Sequence, residues 1–92
     1  MTELYSLSPD QIVLYGVVWC GDCRRARQIL AEKMIPYLDI DIEQDPKAAE
    51  FVKHLNLGYR SVPTIIFPDG SHLTEPDTLT LTRKLDNLER AA

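Results

Sequence analysis

The feature that most constrains this chain is a continuous apolar segment that runs directly into a pair of cysteines. Residues 12–18 (IVLYGVV) are rich in β-branched side chains, a pattern typical of a strand buried on both faces. After Trp19, the only two cysteines of the chain, Cys20 and Cys23, enclose a Gly-Asp dipeptide. Amphipathic spacing follows, so the cysteines lie at a predicted junction between a strand and a helix.

The helix is predicted from Cys23 to about Met34, because its apolar residues recur on one face. This stripe consists of Ala26, Ile29, Leu30 and Met34. Residues 37–42 then alternate apolar and acidic residues, the period of a half-buried strand whose aspartates face solvent. A second helix is predicted with Asp45 as N-cap, Pro46 at its first position and Gly58 as C-cap. Its stripe consists of Ala48, Phe51, Val52 and Leu55.

The C-terminal third predicts a β-hairpin and a last helix. Residues 64–67 (TIIF) and 72–74 (HLT) are short strands, and residues 68–71 (PDGS) have the composition of a tight turn. Residues 75–77 (EPD) begin the helix, which buries Leu81, Leu85 and Leu88. The order β-α-β-α-β-β-α predicts an α/β fold with a four-stranded mixed sheet flanked by three helices.

Length and charge exclude several classes of protein. We expect the 92 residues to form one domain, residues 1–92, with residues 1–10 as a short lead-in. The net charge of −4 argues against nucleic-acid binding, and no apolar run is long enough to span a membrane. Because residues 1–10 lack the basic region of a secretory signal, we expect a cytoplasmic protein. We also expect a monomer.

The cysteine spacing predicts redox chemistry. A thiol at a helix start faces unpaired backbone N–H groups and the positive end of the helix dipole, which favour the thiolate. Cys20 is therefore suited to attack and Cys23, one turn into the helix, to resolve. Two nearby charges modulate the pair in opposite directions: Asp22 opposes a thiolate, whereas Arg24 favours it. The alternatives for Asp22 are a proton acceptor for Cys23 and a helix cap.

Two alternatives give the cysteines no redox role. Zinc would need two further ligands, and the two histidines, His54 and His72, form no recognisable ligand pair, so we expect no metal. Inert core thiols would not require the flanking Trp19 and the Gly-Asp spacer.

Three stretches resemble the thioredoxin-fold redoxins, and among them the glutaredoxins and mycoredoxins: residues 15–23 (YGVVWCGDC), 60–64 (RSVPT) and 69–74 (DGSHLT). The resemblance implies a thioredoxin-like fold of the glutaredoxin type. It also implies that Cys20 attacks a target disulfide and that Cys23 resolves the mixed disulfide.

Further substrate-binding positions follow from the resemblance. Pro63 matches a proline whose preceding peptide bond is cis and faces the cysteines, so that Val62 offers its backbone to an extended substrate. Asp77 fits one of two family acidic positions. Trp19 is expected to form a partly exposed wall beside the thiols, with core packing as the alternative. Arg60 matches a basic position and would pair with a substrate carboxylate, unless it is an ordinary surface arginine.

Two departures concern the thiol that recycles the protein. Val17 replaces the usual lysine three residues before the first cysteine, and Thr74-Glu75 replaces a Gly-Gly pair. Glu75 adds negative charge where a glutathione carboxylate would be expected. These residues favour another low-molecular-weight thiol over glutathione, such as mycothiol or bacillithiol, or direct reduction by an NADPH-dependent flavoprotein reductase.

The residues and the resemblance together predict a dithiol–disulfide oxidoreductase that reduces protein disulfides, or mixed disulfides with a small thiol. No tightly bound cofactor is expected, since the small thiol is a co-substrate. Three alternatives remain: a thioredoxin-like electron carrier, an iron–sulfur cluster carrier, and a non-catalytic protein-binding domain.

Overall fold

The apolar segment forms the central strand of the sheet. The structure, a computed structural model, describes residues 5–91. Strand β1 (Ile12–Gly16) pairs in parallel with β2 (Tyr37–Asp41) and antiparallel with β3 (Thr64–Ile66). Strand β4 (His72–Thr74) pairs antiparallel with β3, so the order across the sheet is β2-β1-β3-β4.

Three helices in the described residues complete the predicted order: α1 (Gly21–Glu32), α2 (Pro46–Leu55) and α3 (Thr78–Ala91). The alternation of β1 divides the core into two halves, since Leu14 belongs to one apolar cluster and Tyr15 to the other. Helices α1 and α3 contribute to the first cluster, and α2 contributes to the second. The prediction of a mixed sheet with three helices is confirmed.

The apolar segment is a strand over only part of its predicted length. Strand β1 ends at Gly16, and Val18 is exposed because the chain turns there from the sheet to α1. Helix α1 begins at Gly21 rather than Cys23 and ends before Met34, which is 88% exposed. Met34 was therefore wrongly assigned to the buried stripe.

The end of α2 also differs from the prediction. Its C-cap is Asn56, and Leu57 follows in the left-handed region with φ of 57°. Gly58 lies one position further on and donates its N–H to the carbonyl of Lys53 at 2.7 Å. The predicted N-cap is confirmed, since the Asp45 carboxylate accepts a hydrogen bond from the backbone N–H of Ala48 at 3.1 Å.

Candidate active site

Cys20 is the N-cap of α1. Its backbone is extended, and its Sγ accepts a hydrogen bond from the backbone N–H of Cys23 at 3.2 Å. The sulfur thus occupies the place of the oxygen that usually caps a helix, at the positive end of the helix dipole. Asp22 lies inside the first turn and contacts Arg25, so the alternative that Asp22 caps the helix is wrong.

The two sulfurs differ in accessibility. Cys20 is partly exposed, whereas Cys23 is 0% exposed, and both are free thiols. Burial, followed by the hydrogen bond with Cys20, raises the pKa of Cys23 to about 12, while the backbone of Val17 and the charge of Arg27 act in the opposite direction. A molecule from solvent therefore reaches Cys20 first.

Gly16 gives the buried sulfur its space, and sequence reasoning missed it. A Cβ atom at this position would lie 2.9 Å from Sγ of Cys23, 3.1 Å from Nη2 of Arg27 and 3.2 Å from Cδ2 of Leu14. Only a residue without a side chain permits this approach between β1 and α1. A glycine at the end of a β-branched segment was the available signal.

Arg27 is the second residue that sequence reasoning missed. Its Nε donates to Oδ2 of Asp39 at 2.9 Å. Its two terminal nitrogens donate to the carbonyl of Val17, each at 3.4 Å. Arg27 lies one helical turn beyond Cys23, and this i, i+4 spacing was the available signal.

The Val62–Pro63 peptide bond is cis, as the resemblance implied, and Pro63 is buried. The thiol of Cys20 points at the carbonyl of Val62, with 3.9 Å between sulfur and oxygen. The carbonyl of Pro63 accepts a hydrogen bond from the backbone N–H of Glu75 at 2.8 Å. This segment therefore borders the Cys20 sulfur and is attached to the end of β4.

Asn56, also missed from sequence, connects that segment to α2. Its Nδ2 donates to Oγ1 of Thr64 at 3.1 Å, and its Oδ1 accepts from Oγ1 of Thr74 at 2.7 Å. Thr64 is fully buried and donates to the carbonyl of Ser61 at 2.8 Å. These bonds satisfy buried polar groups and hold the turn before Pro63 against the sheet.

Trp19 and Arg60 lie at one small cavity near the thiols. Trp19 is 71% exposed, which excludes the alternative of core packing, and its indole N–H donates to the carboxylate of Glu43. A cavity of about 110 Å³ is lined by Val17, Trp19, Ile42, Glu43 and Arg60. The structure therefore brings Trp19 and Arg60 together.

Asp77 is the N-cap of α3. Its Oδ1 accepts a hydrogen bond from the backbone N–H of Thr80 at 2.7 Å. Hydrogen bonds from Thr80, and more weakly the charges of Arg25 and Arg83, lower the pKa of Asp77. Its hydrogen bonds go to Thr80 rather than to the cysteines.

Arg24 is exposed, and its backbone N–H donates to the carbonyl of Cys20 at 3.0 Å.

A mixed four-stranded sheet with two cysteines at the β1–α1 junction and a cis-proline beside them defines the thioredoxin-fold dithiol proteins. The glutaredoxin family model matches residues 12–73. A Mycobacterium tuberculosis protein provisionally named as a glutaredoxin is 43% identical over 74 residues, covering 80% of this chain and 88% of that protein. Mycoredoxin 1 of Corynebacterium glutamicum is 36% identical over 79 residues, covering 86% and 98%. The chain belongs to the glutaredoxin family and is a thiol–disulfide oxidoreductase.

Two solved structures share the fold. A thioredoxin-like protein, crystallised as a point mutant, has a TM-score of 0.71 and 23% identity, covering 82% of this chain and 99% of its own. Wheat glutaredoxin has a TM-score of 0.72 and 18% identity, covering 94% and 85%. At these identities the likeness supports the fold alone.

Residues 5–91 contain neither a membrane-spanning helix nor a cluster of metal ligands. No helix there has the length and apolar character needed to cross a bilayer. No group of three or more His, Cys, Asp or Glu side chains in this range is arranged to hold a metal ion.

Proposed function

We propose that the chain reduces disulfides with Cys20 as the nucleophile and Cys23 as the resolving sulfur. The observation that supports this assignment is the unequal placement of the two thiols, one partly exposed at the helix N-cap and one buried behind it. A substrate disulfide can reach the Cys20 sulfur. Once the mixed disulfide has formed there, the buried Cys23 sulfur has a disulfide beside it to attack.

The reaction has two exchange steps. The Cys20 thiolate attacks one sulfur of the substrate disulfide, forms a mixed disulfide, and releases the other substrate sulfur as a thiolate. Cys23 then gives its proton to the released substrate thiolate and attacks the Cys20 sulfur, which releases the second substrate thiolate. The substrate gains two electrons, and the chain is left with a disulfide between Cys20 and Cys23.

Residues around the sulfur bind the substrate in this proposal. Val62 and Pro63 present backbone to an extended segment, and the carbonyl of Val62 already faces the Cys20 sulfur. Trp19 shields one side of the approach, with most of its ring exposed. Arg60 offers a positive charge to a substrate carboxylate, while the capping role of Asp77 leaves it a secondary contact at most.

The proposed electron donor is a low-molecular-weight thiol, with mycothiol tested first. The relative named mycoredoxin 1 supports this choice. Glu75 supports it as well. This exposed residue follows β4, and its backbone N–H donates to the carbonyl of Pro63. Its carboxylate would repel a glutathione carboxylate. The same charge is compatible with a second candidate, direct reduction by a flavoprotein reductase. The reducing cytoplasm is the proposed compartment.

A coupled NADPH-oxidation assay tests the assignment. It compares recycling systems for mycothiol, glutathione and bacillithiol with thioredoxin reductase alone. Cys20→Ser should lose all activity, while Cys23→Ser should keep activity on small-thiol mixed disulfides and lose protein-disulfide reduction. Equal loss from both substitutions on every substrate would overturn the small-thiol mechanism and favour a thioredoxin-like carrier.

A further inference from the structure

The Arg27 guanidinium lies beside the resolving sulfur. The position that a Cβ atom of Gly16 would occupy is 2.9 Å from Sγ of Cys23 and 3.1 Å from Nη2 of Arg27. Both atoms therefore lie against the same point of β1, within range of a direct electrostatic interaction. Among the described residues, Arg27 is the cation whose charge acts on this thiol.

The guanidinium is fixed in this position from two sides. The Asp39 carboxylate on β2 accepts a hydrogen bond from its Nε–H, and the carbonyl of Val17 accepts hydrogen bonds from its two terminal nitrogens. The side chains of Arg27 and Asp39 are 21% and 44% exposed, so solvent weakens the ion pair as a source of stability. What the pair does accomplish is to hold a charge in one place against the sheet.

The second exchange step needs such a charge. Cys23 has to become a thiolate in a position from which water is excluded, and burial disfavours the charged form. The groups that act on it are the Cys20 sulfur, the backbone of Val17 and the Arg27 guanidinium, with Asp39 behind the guanidinium. Once Cys20 is bound to substrate, its sulfur no longer carries negative charge, and the arginine remains.

We propose that Arg27, anchored by Asp39 and the carbonyl of Val17, is a positioning residue that stabilises the Cys23 thiolate in the resolving step. The inference rests on the proposed function, because it assigns Arg27 a role only after Cys20 has formed the mixed disulfide. It predicts that Arg27 affects protein-disulfide reduction and leaves the one-cysteine reaction unchanged.

Arg27→Gln, made in the native chain and in the Cys23→Ser variant, tests this prediction. A stopped reaction followed by mass spectrometry measures how fast the mixed disulfide on Cys20 is resolved. We expect Arg27→Gln to slow that step by about tenfold, the change in thiolate fraction that corresponds to one unit of pKa, with the same loss at every pH below the pKa of Cys23. In the Cys23→Ser background, small-thiol mixed-disulfide reduction should change less than about twofold.

Two further variants separate charge from folding. Arg27→Lys keeps the charge and should restore part of the rate, while Asp39→Asn keeps the arginine but weakens its anchor from an ion pair to a neutral hydrogen bond and should slow resolution severalfold. Arg90→Gln removes the same charge from an exposed position on α3 and serves as the matched control, with no change expected. Should Arg27→Gln fail to fold, the Asp39→Asn and Arg27→Lys variants decide the question.

An unchanged rate of resolution in Arg27→Gln would overturn the role of Arg27. So would a slowing of small-thiol mixed-disulfide reduction in the Cys23→Ser background that equals the slowing of resolution in the native chain. Failure of the proposed function has a different signature, since no mixed disulfide on Cys20 would then form in any variant.

Discussion

Gly16 determines how closely the buried sulfur approaches the sheet. The end of β1 meets α1 at this residue, and a methyl group there would overlap the Cys23 sulfur. A side chain of any size would push α1 away from β1 or turn the sulfur out of place, because packed interiors have little free volume. The geometry of the dithiol therefore depends on a residue that has no functional group.

Gly16→Ala should destabilise the protein by about 1–3 kcal/mol, the usual cost of overpacking. Urea unfolding of the reduced protein measures this change. Gly21→Ala is the matched control, because nothing lies within 4 Å of the added atom and alanine favours the helix. Equal stability of the Gly16→Ala and native proteins would contradict the packing shown here.

At the residue scale, the sequence identified groups that carry chemistry and missed those that support them. Cys20, Cys23 and Pro63 belong to short motifs, so their placement could be predicted from spacing and resemblance. Gly16 and Arg27 act through the distance between a helix and a strand. Their local signals, a glycine in an apolar segment and an i, i+4 spacing from Cys23, do not determine that distance. Their contacts became visible only once α1 was packed on β1.

Helices α1 and α2 end in the same way. Each is followed by a residue in the left-handed region, Met34 with φ of 57° and Leu57 with φ of 57°. A backbone N–H then closes the helix, from Ile35 to the carbonyl of Leu30 and from Gly58 to that of Lys53. This is the pattern in which glycine usually occupies the left-handed position, because a Cβ atom is strained there.

Met34→Gly should stabilise the protein by about 0.5–1 kcal/mol, because it relieves the strain of a Cβ atom on a left-handed backbone. Little packing is lost, since the methionine is 88% exposed. Thermal unfolding measures the change. Ala31→Gly, an exposed position inside α1, is the control and should cost about the same amount. Destabilisation by both substitutions would show that the left-handed position carries no strain.

At the scale of elements, periodicity predicted every strand and helix but not all of their ends. The segment of residues 64–67 shows why, since Phe67 follows β3 and is as buried as the strand itself. Burial extends past the last residue of the strand, so an apolar run overestimates its length. Residues 78–82 alternate as a strand would, but the spacing of the leucines predicted the helix that the structure has there.

In the whole molecule, the hairpin turn is joined to the last helix. Lys84 on α3 donates to Oδ2 of Asp69 at 2.6 Å and lies over the ring of Phe67, 5.3 Å from its centroid. The hydrogen bond from Lys84, followed by those from Ser71, lowers the pKa of Asp69 to about 2. These contacts connect two segments that are distant in sequence and cover one side of the core.

Asp69→Asn should lower the melting temperature at neutral pH and have progressively less effect in acid. A carboxyl whose pKa is lowered on folding stabilises the native state above its unfolded value of about 4, and this contribution is lost as pH falls through about 2. The difference between native and variant should therefore shrink between these values. Melting curves across this range measure the difference.

Lys84→Met and the double variant provide the control for this prediction. With lysine removed, Asp69→Asn should have a smaller effect at neutral pH, since the two side chains act together. A difference that stays constant through the acid range would show that ionisation of Asp69 does not contribute to stability.

The site itself is a property of the whole molecule. It is assembled from the end of β1, the first turn of α1 and the cis-proline segment before β3, which are brought together by the order of strands in the sheet. The resemblance implied that the proline segment faces the cysteines. The network from Asn56 that holds the proline segment required the packed structure, because it joins α2, β3 and β4 at once.

The most direct test of the central claim is to trap the first intermediate. The reduced Cys23→Ser and Cys20→Ser variants are mixed with a protein disulfide, quenched by alkylation and analysed by peptide mass spectrometry. We predict a covalent adduct on Cys20 in Cys23→Ser and none in Cys20→Ser, since the remaining sulfur of the latter is buried. An adduct on Cys23, or no adduct in Cys23→Ser, would contradict the account.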